Sequence, residues 1–303
     1  MLVAYYGQVQ GRMEDHLKKL TDKSGHHSMR NIDFIYMINL DKRPEKFVMS
    51  CSQLATYDIH PCRFSAVNGW ELSVEDINDI GLKYKPGMDR LMASTYPIEA
   101  GGLISHEYMS VPGRAYFCHC MARGTIGCAM SHISILKDAY ESGYEVIWVM
   151  EDDIEVLRDP RILSELIDEL NHLVGMGNWD VLFTDQDYRT GENVYAYASG
   201  SAKRPDLDNS IKERTSDKYT KSQNLNANFK RIAARFATTS MIISRSGIKK
   251  LYEFSLQHQV YLPYDLDNYL LPGINRFGLR YDVVSNMLNS ISDNGVQGYL
   301  DAK

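Results

Sequence analysis

The feature that most restricts the fold is an alternation between two kinds of segment. Short apolar runs rich in β-branched and aromatic residues recur along the chain: "DFIYMINL" (33–40), "CRFSAVNG" (62–69), "EVIWVM" (145–150), "WDVLFT" (179–184) and the run that opens "RFATTSMIISRSGIKKLYEF" (235–254). Each is bounded by turn or capping residues and reads as a strand. Between them lie segments of helical period. Pro44 can occupy the first turn of a helix after the first strand. In "GTIGCAMSHISILKDAYESG", Ile133, Leu136 and Tyr140 keep the period and Gly143 is a stop. In "DPRILSELIDELNHLVG", Asp159 caps and Pro160 takes the first helical position. There Ile162, Leu163, Leu166, Ile167, Leu170 and Leu173 form a wide apolar stripe, and Gly175 ends it. Ser244 or Ser246 caps the last helix of this series. Strand–helix alternation predicts an α/β fold with a mostly parallel central sheet flanked by helices.

The 303 residues are enough for one large domain with a usable core. Residues 1–30 read as an N-terminal extension with one helix over 12–21. Residues 31–303 read as a single domain interrupted by two long loops, 81–123 and 186–230. The first loop is rich in Gly and Pro, and a run of that length in a compact domain suggests a lid or binding loop. A net charge of −6 argues against a nucleic-acid partner, which would select a basic face. Five cysteines, an odd number, fit reduced thiols better than a disulfide framework. Cys118 and Cys120 are one residue apart, which suits neither a usual disulfide nor a zinc knuckle with His119. The N-terminus lacks a signal-peptide pattern, and no apolar run is long enough to span a membrane. The expected location is cytoplasmic, with loose association at the inner membrane face as the alternative. Oligomeric state is not legible.

The strand "VIWVM" runs straight into Glu151, Asp152 and Asp153. In open α/β sheets, ligands bind outside the carboxyl ends of strands. Side chains two apart on extended backbone share a face, so Glu151 and Asp153 are expected to point one way and Asp152 the other. Adjacent carboxylates repel, and a pKa rises unless a cation joins them. A hard divalent cation with oxygen ligands resolves the conflict. An ordinary charged turn is the alternative, and the spacing excludes an EF-hand.

Taken in order, "FIYMINLDKRPEKF", "RFSAVNGWELS", "RGTIGCAMSHISILKDA", "VIWVMEDDIEV", "WDVLFT" and "ATTSMIISRSGIKKL" resemble glycosyltransferase family 25, from about residue 33 to about 293. That family includes bacterial lipooligosaccharide galactosyltransferases and collagen galactosyltransferases. The resemblance implies a nucleotide-sugar-binding domain of the GT-A type, with the acidic triplet in place of the DxD motif. It implies that Mn²⁺ (or Mg²⁺) is held by Asp153 and Glu151, with Asp152 beside the donor. The donor would be a UDP-sugar, with UDP-galactose first among them, and the acceptor a surface glycan such as lipooligosaccharide. A protein hydroxylysine acceptor is also within the family's range.

The resemblance implies inversion, which needs a base. "LPYDLDNYL" offers Asp265 by Pro-x-Asp spacing and Asp267 by a looser Asp-x-x-Leu reading; Asp265 is preferred, and a helix cap is the alternative for both. Asn39, Asp41 and Arg43 follow the first strand, where the family's nucleotide is met, with Arg43 toward phosphate and Asp41 toward uridine or ribose. Ser131 and His132 are expected to begin a helix whose N-terminus suits an anion or a sugar hydroxyl; a structural cap and a core histidine are equally open readings. Cys128 reads as small and buried. The sequence departs from the family at Lys46-Phe47, where a basic pair is more usual, and 186–230 does not align. Two rivals stand beside the transferase: a catalytically silent glycan-binding or scaffold protein, and a nucleotidyltransferase. The latter lacks a Gly-rich phosphate loop with a lysine.

Overall fold

A computed structural model describes residues 13–198, 203–207, 222–232 and 234–294. After one helical turn at 13–15, the chain forms strand β1 (Phe34–Asn39), helix α1 (Pro44–Ala55), strand β2 (Cys62–Ser65) and helix α2 (Val74–Ile80). Four short strands follow: β3 (Leu82–Lys83), β4 (Met92–Thr95), β5 (Ser105–Tyr108) and β6 (Ala115–Cys118). Helix α3 (Arg123–Ser142), strands β7 (Val146–Glu151) and β8 (Ile154–Val156), and helix α4 (Leu163–Val174) come next. Then come strands β9 (Val181–Phe183), β10 (Tyr188–Gly191), β11 (Val194–Ala196), β12 (Gln223–Asn224), β13 (Phe229–Arg231) and β14 (Ser240–Ser244). Helices α5 (Arg245–His258) and α6 (Tyr264–Leu270) precede strands β15 (Arg276–Leu279) and β16 (Val284–Asn286).

The central sheet has eight strands in the order β12-β13-β15-β9-β14-β7-β1-β2. It is mixed. β1 pairs in parallel with β2 and β7, and β9 with β15, whereas β14 runs against both β7 and β9. β13 likewise runs against β15. Helices cover both faces, which explains why β1 and β7 are apolar at nearly every position rather than at every second one. Phe34, Tyr36 and Ile38 of β1 and Ile147 and Val149 of β7 join one core with Ile133 and Leu136 of α3 and Leu251 of α5. Ile35, Met37, Trp148 and Met150 point the other way, into a second core with Leu163, Leu166, Ile167 and Leu170 of α4. Each such side chain, fully buried, contributes about 1.5–3 kcal/mol.

Several expectations hold. Pro44 opens α1, and Gly143 ends α3 in the left-handed conformation (φ 73°). Ser244, not Ser246, caps α5, accepting from the Gly247 amide at 3.4 Å. Asp159 caps a short 3-10 turn, Pro160–Ile162, that leads into α4, so Ile162 sits outside the apolar face at 37% exposure.

Others are corrected. The helix expected over 12–21 is one turn; residues 17–24 then carry no helix or strand, and Met13 and Leu17 are buried in the first core. Residues 81–123 are not irregular: they hold the four-stranded antiparallel sheet β3-β6-β4-β5. Strands of two to four residues between Gly and Pro are too short to show a period. Within 186–230, β10 and β11 form a hairpin and β12 and β13 join the central sheet; residues 199–202 and 208–221 lie outside the described residues.

Helix α3 starts at Arg123, two turns earlier than Ser131. Its glycines are the reason. A Cβ at Gly127 would lie 2.4 Å from the Gly69 amide nitrogen and 2.5 Å from the Val67 carbonyl oxygen, so the loop after β2 packs directly on the helix backbone. Ser131 and His132 are therefore mid-helix, and Ser131 Oγ donates to the Gly127 carbonyl at 2.8 Å. The expectation of an anion site at a helix N-terminus does not apply to His132.

Candidate active site

Glu151 ends β7 beside Ile38 of β1, so the acidic triplet emerges where two parallel strands finish together. Strand β14 flanks it on the other side, and the Glu151 amide donates to the Thr239 carbonyl at 2.9 Å. Glu151 Oε1 accepts from Thr238 Oγ1 at 2.8 Å and lies 3.2 Å from His132 Nε2. The His132 ring is 1% exposed and stacks on Tyr264 of α6, centroids 4.5 Å apart. Burial pushes the Glu151 carboxyl up, but the His132 contact and the Thr238 hydroxyl more than offset it, and the net shift is down.

Asp152 follows in the bend between β7 and β8. Its Oδ2 accepts from Asn39 Nδ2 at 2.6 Å, and Asn39 also donates to the Arg43 carbonyl at 2.7 Å. Asp153, in the same bend, lines the large cavity with Glu151, and its Oδ2 accepts from Ser290 Oγ at 3.2 Å. Burial, then the neighbouring charges of Glu151 and Asp152, lift the Asp153 carboxyl to about 6. Asp152 is also raised, chiefly by burial. The balancing cation is Lys46, 6% exposed on α1, whose charge lowers all three carboxyls. Lys46 Nζ is 2.6 Å from Asp293 Oδ2 and donates to the Ile291 carbonyl at 2.8 Å, which ties the segment after β16 across the strand ends.

Two cavities meet at this acidic end. A small one, about 90 Å³, is lined by Leu40, Lys46, Gly69, Trp70 and all three carboxylates. A larger one, about 630 Å³, is lined by Glu151, Asp153, Thr238, Asp265, Arg189 and Asn286 among others. Asp265 sits in the first turn of α6. Its Oδ2 accepts from the Ala237 amide and its Oδ1 from the Leu266 amide, each at 2.9 Å. Burial raises its carboxyl above the ordinary value. Asp267, two residues on, does not line that cavity: its Oδ1 is 2.7 Å from NH1 of Arg204, a guanidinium of 0% exposure.

The structure thus brings Glu151, Asp153 and Asp265 to one cavity, with His132 packed behind Glu151. Asn39 braces that strand end through Asp152, which lines the small cavity. Asp41 and Arg43 are not at the cavity walls. Asp41 accepts from Arg63 NH2 and Ser65 Oγ, both at 2.8 Å, and the Ser65 hydroxyl holds its carboxyl down. Arg43 pairs with Asp293 and with Glu45. Thr238, Ser290, Asp293 and Trp70 escaped the sequence reading. They sit on loops and strand ends, where nothing periodic marks them.

A family model described as glycosyltransferase family 25 (LPS biosynthesis protein) matches residues 32–267, a span that includes Asn39, the acidic triplet, Thr238 and Asp265. The chain belongs to glycosyltransferase family 25. Curated relatives agree. A "Glycosyltransferase 25 family member" of Aedes aegypti is 27% identical over 171 residues, 56% of this chain and 24% of the relative. "Procollagen galactosyltransferase 1" of Danio rerio is 25% identical over 169 residues, 55% of this chain and 22% of the relative. "Inactive glycosyltransferase 25 family member 3" of Mus musculus is 23% identical over 157 residues, 52% of this chain and 22% of the relative. The alignments span about a quarter of these relatives' length. Among the described residues, no helix of this family 25 chain is long and apolar enough to cross a membrane.

The site suits a hard divalent cation. Glu151 and Asp153 present oxygen donors to one cavity, and the raised Asp153 carboxyl is the mark of charge that a cation would relieve. Among the described residues, the three ligand atoms that lie within 4.8 Å of one another belong to Cys128, His132 and Glu151, not to the acidic triplet.

Proposed function

We propose that this chain transfers a hexose, galactose first among candidates, from a UDP-sugar to a glycan acceptor with inversion, on a domain of the GT-A type. The observation that carries the reading is that Asp265 lines the same cavity as Glu151 and Asp153. Mn²⁺ or Mg²⁺ held by Asp153 and Glu151 would supply Lewis-acid stabilisation of the departing diphosphate.

The rest falls to the chain's own groups. Thr238 and His132 fix Glu151 Oε1 on one side, which orients the carboxylate. Lys46 offsets the charge of the triplet from the small cavity, where Trp70 and Leu40 offer apolar surface to a nucleoside. Asp265, oriented by two backbone amides and raised by burial, is the base that takes the acceptor hydroxyl's proton. A carboxylate of raised pKa is the stronger base, which is the direction this role needs. Asp267 has its charge matched to Arg204 and is assigned a structural role. The galactose preference follows the procollagen galactosyltransferase relative, and a lipopolysaccharide-type acceptor follows the family's description as LPS biosynthesis proteins. An acceptor of that kind would bring the protein to a membrane surface as a peripheral partner.

The test is a panel of UDP-hexoses incubated with the full chain and Mn²⁺, read as UDP release and as transfer to glycan acceptors. Release with one hexose, lost in Asp265→Asn, supports the assignment. Binding of UDP with no release from any donor would favour the silent, glycan-binding alternative, a state one relative's name already describes.

A further inference from the structure

Cys118 closes β6 and Cys120 lies in the turn that leads to α3. The Met121 amide donates to the Cys118 carbonyl at 2.9 Å, and that turn places the two sulfurs on the same side, 3.1 Å apart. Cys118 is half-buried and Cys120 exposed. The Cys118 amide is anchored to the Tyr261 carbonyl at 2.8 Å, so the dithiol is held against the segment that leads to α6. We propose that Cys118 and Cys120 form a redox-active dithiol, a modification site that exchanges with low-molecular-weight disulfides of the glutathione type.

The roles follow from the environment of each sulfur. The sulfur–sulfur contact with Cys120 holds the Cys118 thiol below its ordinary pKa, against the effect of burial, while the same contact and burial push Cys120 up. The other three cysteines, Cys51, Cys62 and Cys128, are all raised, in each case chiefly by burial. The thiolate is the nucleophile in exchange, so Cys118 attacks and Cys120 resolves.

The chemistry balances with the named co-reactant. The Cys118 thiolate attacks one sulfur of RS–SR; that bond breaks, one RS⁻ leaves and takes up a proton, and a Cys118–S–S–R bond forms. Cys120 then loses its proton to solvent, its sulfur attacks the Cys118 sulfur, and the second RS⁻ leaves. Two cysteine thiols are oxidised to one disulfide, and RSSR is reduced to two RSH.

The experiment uses the reduced full chain, equilibrated with glutathione buffers of increasing oxidised fraction, quenched by alkylation and mapped by peptide mass spectrometry. The expected result is loss of the Cys118 and Cys120 thiols together, a mass decrease of two hydrogens, no retained glutathione and full reversal by dithiothreitol. Cys120→Ser should stall with one glutathione on Cys118. In the unmodified chain, Cys118 should alkylate at least about tenfold faster than Cys51 or Cys62, a readout that needs no variant to fold. Glutathione retained on the unmodified chain, survival of both thiols under oxidising buffer, or equal alkylation of Cys118 and Cys51 would each overturn the proposal. None of these readouts depends on sugar transfer.

Discussion

Asp267 is locked to Arg204: Oδ1 and NH1 are 2.7 Å apart, and the arginine is fully buried with a second partner in Asp206. Asp265, two residues earlier on the same helix, lines the large cavity instead. Two carboxylates of one short helix are thereby assigned different work. Asp267→Ala should lower stability by about 3–5 kcal/mol, because it leaves a buried guanidinium charge short of a partner. Asp265→Asn should cost about 1 kcal/mol and reduce transfer by about 10²–10⁴-fold. Denaturant melts of both variants, set beside turnover, separate the two roles.

Gly127 offers a test of packing against propensity. In an exposed helix interior, Gly→Ala gains about 1 kcal/mol. Here the added Cβ would fall 2.4 Å from backbone nitrogen of Gly69, so the sign reverses. Gly127→Ala should destabilise by about 1–3 kcal/mol, the usual cost of overpacking, and a thermal melt reads it directly.

Asn39 holds Asp152 through a 2.6 Å hydrogen bond. Asn39→Leu removes that donor and also the acceptor for Arg63 Nε at 2.7 Å. The expected loss is about 1–3 kcal/mol, the cost of leaving buried polar groups unmatched. The Asp152 carboxyl, already raised by burial, should rise further, which carboxyl-resolved NMR titration follows.

Without metal, Asp153 should make stability fall as pH rises. Its carboxyl titrates near 6 in the fold against an ordinary 3.8, so between about 4 and about 6 the folded state binds more protons than the unfolded chain. Stability is therefore lost as pH climbs through that window and does not return above it. Asp153→Asn should flatten the slope, as should saturating Mn²⁺. Melting temperature recorded from pH 4 to 7 with and without metal checks the sign.

Much of the fold could be read from the chain because β1, β7 and β14 are buried on both faces, and the apolar run "FIYMI" or "SMII" leaves little choice but sheet. The direction of β14 was not legible: its hydrophobic pattern is the same whether it runs with β7 or against it. The sheet within 81–123 was hidden because β3 is two residues long and its neighbours four. At the site, period-two alternation stops at Glu151: Asp152 and Asp153 lie in a bend, all three carboxylates line the small cavity, and Glu151 and Asp153 also line the large one. Asp41 and Arg43 could not be judged the same way, since their partners, Arg63, Ser65 and Asp293, come from a neighbouring strand and from a segment 250 residues on. The start of α3 is hidden in the sequence because glycine ordinarily weakens a helix, and the close approaches of Asn294 to Gly124 and of Gly69 and Val67 to Gly127 exist only in the fold.

The central claim is that the strand-end carboxylates join a cation to a nucleotide diphosphate. Calorimetric titration of UDP with and without Mn²⁺, on the unmodified chain and on Glu151→Gln and Asp153→Asn, tests it most directly. The account predicts that each ligand binds tighter in the presence of the other, and that either substitution abolishes this coupling. Equal UDP affinity with and without manganese in the unmodified chain would contradict it.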